Sequence, residues 1–121
     1  MIVDKVHRIL VAEDEALIAM LIETILVDAG YDMVAAGSVE EALDAIDRES
    51  FDAAILDLNL KGKKVYPVAE KLAAAGTPFI FATGGDMVVG FPDRPAMAKP
   101  FREEELMDAM KRLLGGTGTA V

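Results

Sequence analysis

The chain has 121 residues, 53% of them hydrophobic, a formal net charge of −9 and no cysteine. That length supports one domain with a single core, and the lack of cysteine excludes disulfides and thiolate metal sites. No apolar run approaches the roughly 18 residues of a membrane span, residues 1–8 carry charges of both signs without a signal-peptide pattern, and the acidic balance argues against a nucleic-acid-binding surface.

The Ile-Leu-Val run within Arg8–Ala12 predicts a buried strand that stops on Glu13-Asp14. Residues 15–28 contain no Gly or Pro and predict a helix, with Gly30 placed to stop it. Their apolar positions, including Leu17, Met20, Leu21, Ile25 and Leu26, form a wide stripe. Residues 31–36 predict a second, weaker strand. Ser38 and Glu41 then make a capping box that opens a helix to about Glu49. Residues 51–58 predict a third strand whose middle, Ala53-Ala54-Ile55-Leu56, reads as covered on both faces, with Asp57 at its end. The polar stretch 59–64 reads as a loop. Pro67 fits the first turn of a helix to Ala75, with Gly76 as its stop. Residues 78–83 predict a fourth strand ending on Thr83, and 96–98 a short fifth, followed by Lys99-Pro100. The last helix begins near Arg102, with Glu103, Glu104 and Glu105 at its positive end, and stops before Gly115-Gly116. The domain is thus expected over residues 1–116, with 117–121 as a disordered tail.

Strands alternating with helices predict a three-layer α/β domain with a doubly wound parallel sheet. In such a sheet the functional crevice lies at the carboxyl ends of the strands. Glu13, Asp14, Asp57 and Thr83 fall at such ends, and Lys99 follows the fifth. The 15 residues between Thr83 and Lys99 include Gly84, Gly85, Gly90, Pro92 and Pro95. A mean helix takes about 11 residues, so this crossover is expected to be a short helix or an irregular, mobile loop.

Three carboxylates at one sheet edge repel, and such a cluster is retained mainly to hold a divalent cation. Asp14 and Asp57 suit direct coordination of Mg²⁺, Glu13 can reach through water, and a backbone carbonyl after Asp57 can complete the sphere. Shielded by a cation, Asp57 can attack phosphorus and form an aspartyl phosphate. Lys99 then serves as a point charge, and the Thr83 hydroxyl can donate to a phosphoryl oxygen. Singly, each residue has an ordinary reading: a solvated pair or helix cap, a turn residue, a surface lysine. Their order on this pattern outweighs those readings. His7 has no partner motif and is expected to be exposed and inert.

The ordered set Glu13-Asp14, Asp57, Thr83 and Lys99-Pro100 resembles the CheY-like receiver domain of two-component response regulators, over residues 8 to about 114. The resemblance implies a five-stranded parallel sheet of order 2-1-3-4-5. It implies that Asp57 takes phosphate from a kinase phosphohistidine, that Glu13, Asp14, Asp57 and the carbonyl of Asn59 bind Mg²⁺ (Mn²⁺ or Ca²⁺ as substitutes), and that Thr83 and Lys99 hold the phosphoryl group. The stretch Pro78-Phe79-Ile80-Phe81-Ala82-Thr83-Gly84 resembles the PFxFATG signature of a subgroup often paired with HWE-type histidine kinases. Asp57-Leu58-Asn59-Leu60 and Tyr66-Pro67-Val68-Ala69 are similar to it as well. Three positions depart from the pattern. Lys61-Gly62-Lys63-Lys64 replaces the usual Met/Leu-Pro, Ala96 stands where most receivers carry a switching Tyr or Phe, and Gly85 replaces the subgroup's Tyr. A signal is therefore expected to run through Thr83 and the glycine-rich stretch after it, from mobile to ordered.

Three functional readings follow. The first is a stand-alone, cytoplasmic receiver without output domain, which promotes only its own phosphorylation and dephosphorylation. It would signal through a downstream protein partner or a phosphotransfer protein, with no nucleic acid or membrane partner. The second is a Mg²⁺-dependent phosphohydrolase, opposed by Asn59 where an acid-base carboxylate would stand two residues after Asp57. The third is a degenerate receiver that binds partners without phosphorylation, opposed by the intact five-residue site.

Overall fold

The computed structural model describes residues 6–115, so the expectation for the 117–121 tail lies outside the described residues. The elements run β1 (Arg8–Ala12), α1 (Ala16–Asp28), β2 (Asp32–Ala36), α2 (Val39–Arg48), β3 (Ala53–Asp57), β4 (Asn59–Leu60), β5 (Lys63–Lys64), α3 (Tyr66–Ala74), β6 (Phe79–Thr83), β7 (Ala96–Ala98) and α4 (Glu103–Gly115). Five strands form one sheet in the order β2-β1-β3-β6-β7, every neighbouring pair parallel. Without the β4–β5 ribbon this is the expected order 2-1-3-4-5.

Alternation along the central strands sorts the core onto two faces. Ile9 and Val11 of β1, Ala53 and Ile55 of β3 and Ile80 of β6 pack with Ile22, Ile25 and Leu26 of α1 and Leu106, Ala109 and Met110 of α4. Leu10, Leu56, Phe79 and Phe81 face the other way, onto Val39 and Ala42 of α2 and Val68, Ala69 and Leu72 of α3. Burial on both faces explains why β3 reads as an unbroken apolar run.

The capping box at α2 forms in a shifted version. Ser38 Oγ accepts from Glu41 N–H at 3.1 Å, while Glu41 Oε1 accepts from Gly37 N–H at 2.6 Å. On α1 the expected stripe is corrected. Ile25 and Leu26 are buried, but Leu17, Met20 and Leu21 are 81%, 60% and 52% exposed. Ile18, Ile22, Ile25 and Leu26 cover the sheet instead. They follow the i, i+4, i+7, i+8 spacing of one helix face. Apolar residues surround α1 so completely that periodicity alone cannot select its inner face. His7 is also corrected: its ring is half-buried, 6.3 Å from the Tyr31 ring, and Nδ1 lies 3.8 Å from Asp52 Oδ2.

Two connections decide the shape of the carboxyl edge. Residues 59–64, expected as a loop, form an antiparallel ribbon pairing Asn59 with Lys64 and Leu60 with Lys63. Its two-residue turn has positive φ at Lys61 (51°) and Gly62 (83°), the handedness that suits a tight hairpin. Leu58, Leu60 and Val65 are fully buried and anchor the ribbon to the core. Residues 84–95 contain no helix, so the fourth crossover takes the irregular form. It is nonetheless attached to the core. Phe91 lies 6.0, 5.9 and 5.6 Å from the rings of Tyr66, Phe79 and Phe81. The Arg94 guanidinium sits 4.3 Å over Phe79, and Val89 N–H donates to Tyr66 Oη at 2.9 Å. Aromatic packing thus covers the area a helix would have covered.

Leu72, 1% exposed between α3 and the sheet, offers a test of this packing remote from the carboxyl edge. Leu72→Ala should cost about 2–5 kcal/mol in urea unfolding, the range for a buried leucine that leaves a cavity. A loss below about 1 kcal/mol would contradict the buried placement of α3.

Candidate functional site

Parallel register assembles the site. Ala12 pairs with Leu56, so the residue after β1, Glu13, arrives beside Asp57 at the end of β3. Asp57 pairs with Ala82, one residue before Thr83, and Thr83 pairs with Ala98, one residue before Lys99. Residues separated by up to 86 positions thereby share one edge.

At the centre is the Lys99 ammonium. Its Nζ lies 2.9 Å from Asp57 Oδ2, 3.2 Å from Glu13 Oε1 and 3.7 Å from Glu15 Oε1. Glu13 and Asp57 are each only 6% exposed. Two buried carboxylates without a counter-charge would be strongly destabilising, and Lys99 offsets that cost. Backbone donors occupy the remaining oxygens: Glu15 N–H reaches Glu13 Oε2 at 3.0 Å, and Asn59 N–H reaches Asp57 Oδ1 at 3.3 Å. Asp14 Oδ2 accepts from Lys61 N–H, at the turn of the ribbon, at 2.8 Å. One carboxylate oxygen from each of Glu13, Asp14 and Asp57 lies within 4.8 Å of the others. A set of oxygen donors with no nitrogen or sulfur matches a hard divalent cation such as Mg²⁺, Mn²⁺ or Ca²⁺.

The structure therefore brings together Glu13, Asp14, Asp57 and Lys99, and places Asn59 against Asp57 through its backbone N–H. Thr83 stands at the same edge, but its hydroxyl is engaged by its own loop. Oγ1 donates to the Asp86 carbonyl at 2.9 Å and accepts from Gly85 N–H at 3.3 Å. Sequence reasoning missed Asp86. Its Oδ2 accepts from Asn59 Nδ2 at 3.1 Å and from Lys64 Nζ at 2.9 Å, which holds the carboxyl below its ordinary range. A residue three positions after a strand-ending threonine reads as a turn former, and nothing in the linear pattern connects it to a lysine 22 positions upstream. A groove of about 300 Å³ beside the cluster was missed too. Ile18, Leu21, Pro100 and Phe101 line it together with Glu15 and Lys99.

Burial pushes the Glu13 carboxyl up to about 7, and the charge of Asp57 adds to the rise, while Glu15 N–H and Lys99 oppose it. For Lys99, burial acts to lower the ammonium's value, but Asp57 and Glu13 outweigh it and raise the group overall. The Glu13 shift has a definite sign in stability. A carboxyl raised in the folded state favours folding below its ordinary 4.5 and loses that contribution as pH rises to about 7. In metal-free protein, the stability of wild type relative to Glu13→Gln should therefore fall across that interval in urea unfolding. A difference independent of pH would mean that the Glu13 carboxyl titrates normally.

The profile of the response regulator receiver domain matches residues 9–111. The regulatory protein VanR of Enterococcus faecium is 34% identical over 116 residues, which cover 88% of this chain and 49% of VanR. The chain thus spans about half the length of that curated relative. The solution structure of SdrG from Sphingomonas melonis Fr1 superposes with a TM-score of 0.82 at 42% identity, covering 93% of this chain and 99% of that one. The receiver domain of sensor histidine kinase PA1611 from Pseudomonas aeruginosa PAO1 has a TM-score of 0.78 at 24% identity, covering 92% and 99% of the two chains. That structure holds a magnesium ion coordinated in its active-site cleft. Among the described residues here, no helix is long and apolar enough to cross a membrane. With most of its length matched by the family profile and the same sheet order beneath it, the chain belongs to the response regulator receiver family, the signalling modules of two-component systems.

Proposed function

We propose that this receiver is a phosphorylation-controlled binding module in which Asp57 accepts a phosphoryl group from the phosphohistidine of a sensor histidine kinase. The observation that carries the reading is the junction of Asp57 with Lys99 and two further carboxylates at the carboxyl edge of the sheet. In the transfer, the P–N bond to the donor imidazole breaks as a P–O bond to Asp57 forms. Lys99 on Oδ2 and Asn59 N–H on Oδ1 fix the orientation of the nucleophile before a donor arrives. Once the phosphoryl group is attached, the Lys99 ammonium is near enough to neutralise charge on its oxygens.

Glu13, Asp14, Asp57 and the carbonyl of Asn59 are the residues that would hold Mg²⁺. The magnesium in the PA1611 receiver supports this assignment. The bound cation supplies charge neutralisation at the phosphoryl oxygens. Asp14 fits the role because Lys61 N–H occupies Oδ2 and fixes the carboxylate plane. Mn²⁺ or Ca²⁺ suit the same oxygens.

The module acts on itself alone, gaining and losing its own phosphate, rather than turning over a separate substrate. Asn59 supports this, because the residue two positions after Asp57 is an amide committed to Asp86 and not a carboxylate. The kinase is proposed to be of the HWE type, from the Pro78–Gly84 signature. The output is proposed to be a protein contact or onward phosphotransfer in the cytoplasm, with neither nucleic acid nor membrane as partner. The groove between α1 and Pro100-Phe101 opens next to Lys99, so a donor protein could place apolar side chains there while its histidine faces Asp57. The switch is proposed to run through Thr83 and the residues after it. Residues 84–95 are already tied down through Asp86, Val89 and Phe91. Phosphorylation then has to exchange these contacts for others.

Asp57→Ala should abolish labelling by acetyl phosphate in Mg²⁺, read by phosphate-affinity electrophoresis. Label persisting at wild-type level would place the acceptor elsewhere. Asp14→Ala should weaken Mg²⁺ binding by about tenfold or more, followed by amide shifts around residues 57–61. Unchanged affinity would remove Asp14 from the cation site.

A further inference from the structure

The hydroxyl of Thr83 carries one proton and can donate it to only one acceptor at a time. In this structure the acceptor is the backbone carbonyl of Asp86, at 2.9 Å, and the same oxygen accepts from Gly85 N–H at 3.3 Å. The hydroxyl's single donor and one of its two acceptor lone pairs are therefore in use within its own turn. The turn itself is held from outside. Asp86 Oδ2 accepts from Asn59 Nδ2 and Lys64 Nζ, both belonging to the ribbon that follows Asp57. The carbonyl that engages Thr83 thus belongs to a residue whose side chain is fastened to a different element.

We propose that Asp86 is a positioning residue, whose attachment to Asn59 and Lys64 keeps the Thr83 hydroxyl on its own loop in the resting protein. The inference rests on the phosphoacceptor reading of Asp57. An acylphosphate there offers the hydroxyl a charged acceptor, and donating to it requires Thr83 to give up the Asp86 carbonyl. The restraint consequently opposes phosphoryl capture by Thr83, and its release frees residues 84–89 from the ribbon. Asp86 and Lys64 are about half exposed, so solvent screening keeps their attraction modest. A weak restraint is what a reversible modification can overcome.

Asp86→Ala removes the attachment. Asp86→Asn keeps an acceptor oxygen for Asn59 and Lys64, and serves as the conservative rescue. In the unphosphorylated protein, amide exchange at residues 84–89 should be faster in Asp86→Ala by about threefold to tenfold, the effect of losing one exposed charge-assisted contact. Asp86→Asn, which keeps the hydrogen bonds but not the charge, should lie between Asp86→Ala and wild type. Beryllofluoride with Mg²⁺, as a phosphoryl mimic, should bind Asp86→Ala more tightly than wild type by a similar factor. That gain should vanish in a Thr83→Ala background, which a merely loosened fold would not explain. Equal exchange in wild type and Asp86→Ala, or a gain in beryllofluoride affinity that persists without the Thr83 hydroxyl, overturns the proposal. If wild type binds no beryllofluoride and takes no label from acetyl phosphate, the reading of Asp57 fails instead, and the exchange comparison alone decides whether Asp86 restrains the turn.

Discussion

The ammonium of Lys99 holds the carboxyl edge together. Two carboxylates, from the ends of β1 and β3, lie almost fully out of solvent within hydrogen-bonding distance of it. Removing such charges from water costs several kcal/mol each before pairing, and the Lys99 ammonium is shared between them. Glu13 reports the balance: its proton is held up to about neutral pH despite the lysine beside it. A site so poised favours the entry of a further positive charge, which relieves an unfavourable local excess of negative charge. Function here draws on an electrostatic tension that the fold sustains.

That tension is possible because the sheet is parallel and in strict register. Every central strand delivers its last residue to the same edge, so short-range apolar patterning specifies a long-range convergence of polar groups. This is why so much was legible in the sequence. The apolar runs of β1, β3 and β6 end on Glu13, Asp57 and Thr83, and the strand end locates each side chain without any knowledge of distances. The layers follow from the same alternation, with odd and even positions of β1 and β3 dividing between the α1–α4 and α2–α3 faces.

What was not legible has two physical sources. On α1 the apolar residues surround the helix, so hydrophobic periodicity carries no direction, and Leu17, Met20 and Leu21 turned out to face solvent. In the connections the deciding interactions are tertiary hydrogen bonds. Lys61 offers a backbone N–H to Asp14 across 47 positions, and Lys64 pairs with Asp86 across 22. A polar stretch with one glycine reads as a loop, because the turn is set by a positive φ at a lysine that propensity does not favour. The glycines and prolines of the crossover left a short helix or an irregular loop open; the irregular form is found, and what replaces the helix was not legible. Phe91 stacking on Tyr66 closes the face that a helix would have covered.

The ribbon has one more implication, for how much its length can vary. Ordinary surface connections absorb insertions and deletions with little penalty. This one touches distant parts of the chain through the Lys61 amide at its tip, on Asp14, and through the Lys63 and Lys64 ammonium groups on its returning arm, on Glu40 and Asp86. Adding or deleting a single residue would shift one arm against the other and turn alternate side chains to the opposite face. Asp14 and Asp86 could not then both keep their partners. Residues 59–64 should accordingly vary in side chain more freely than in number.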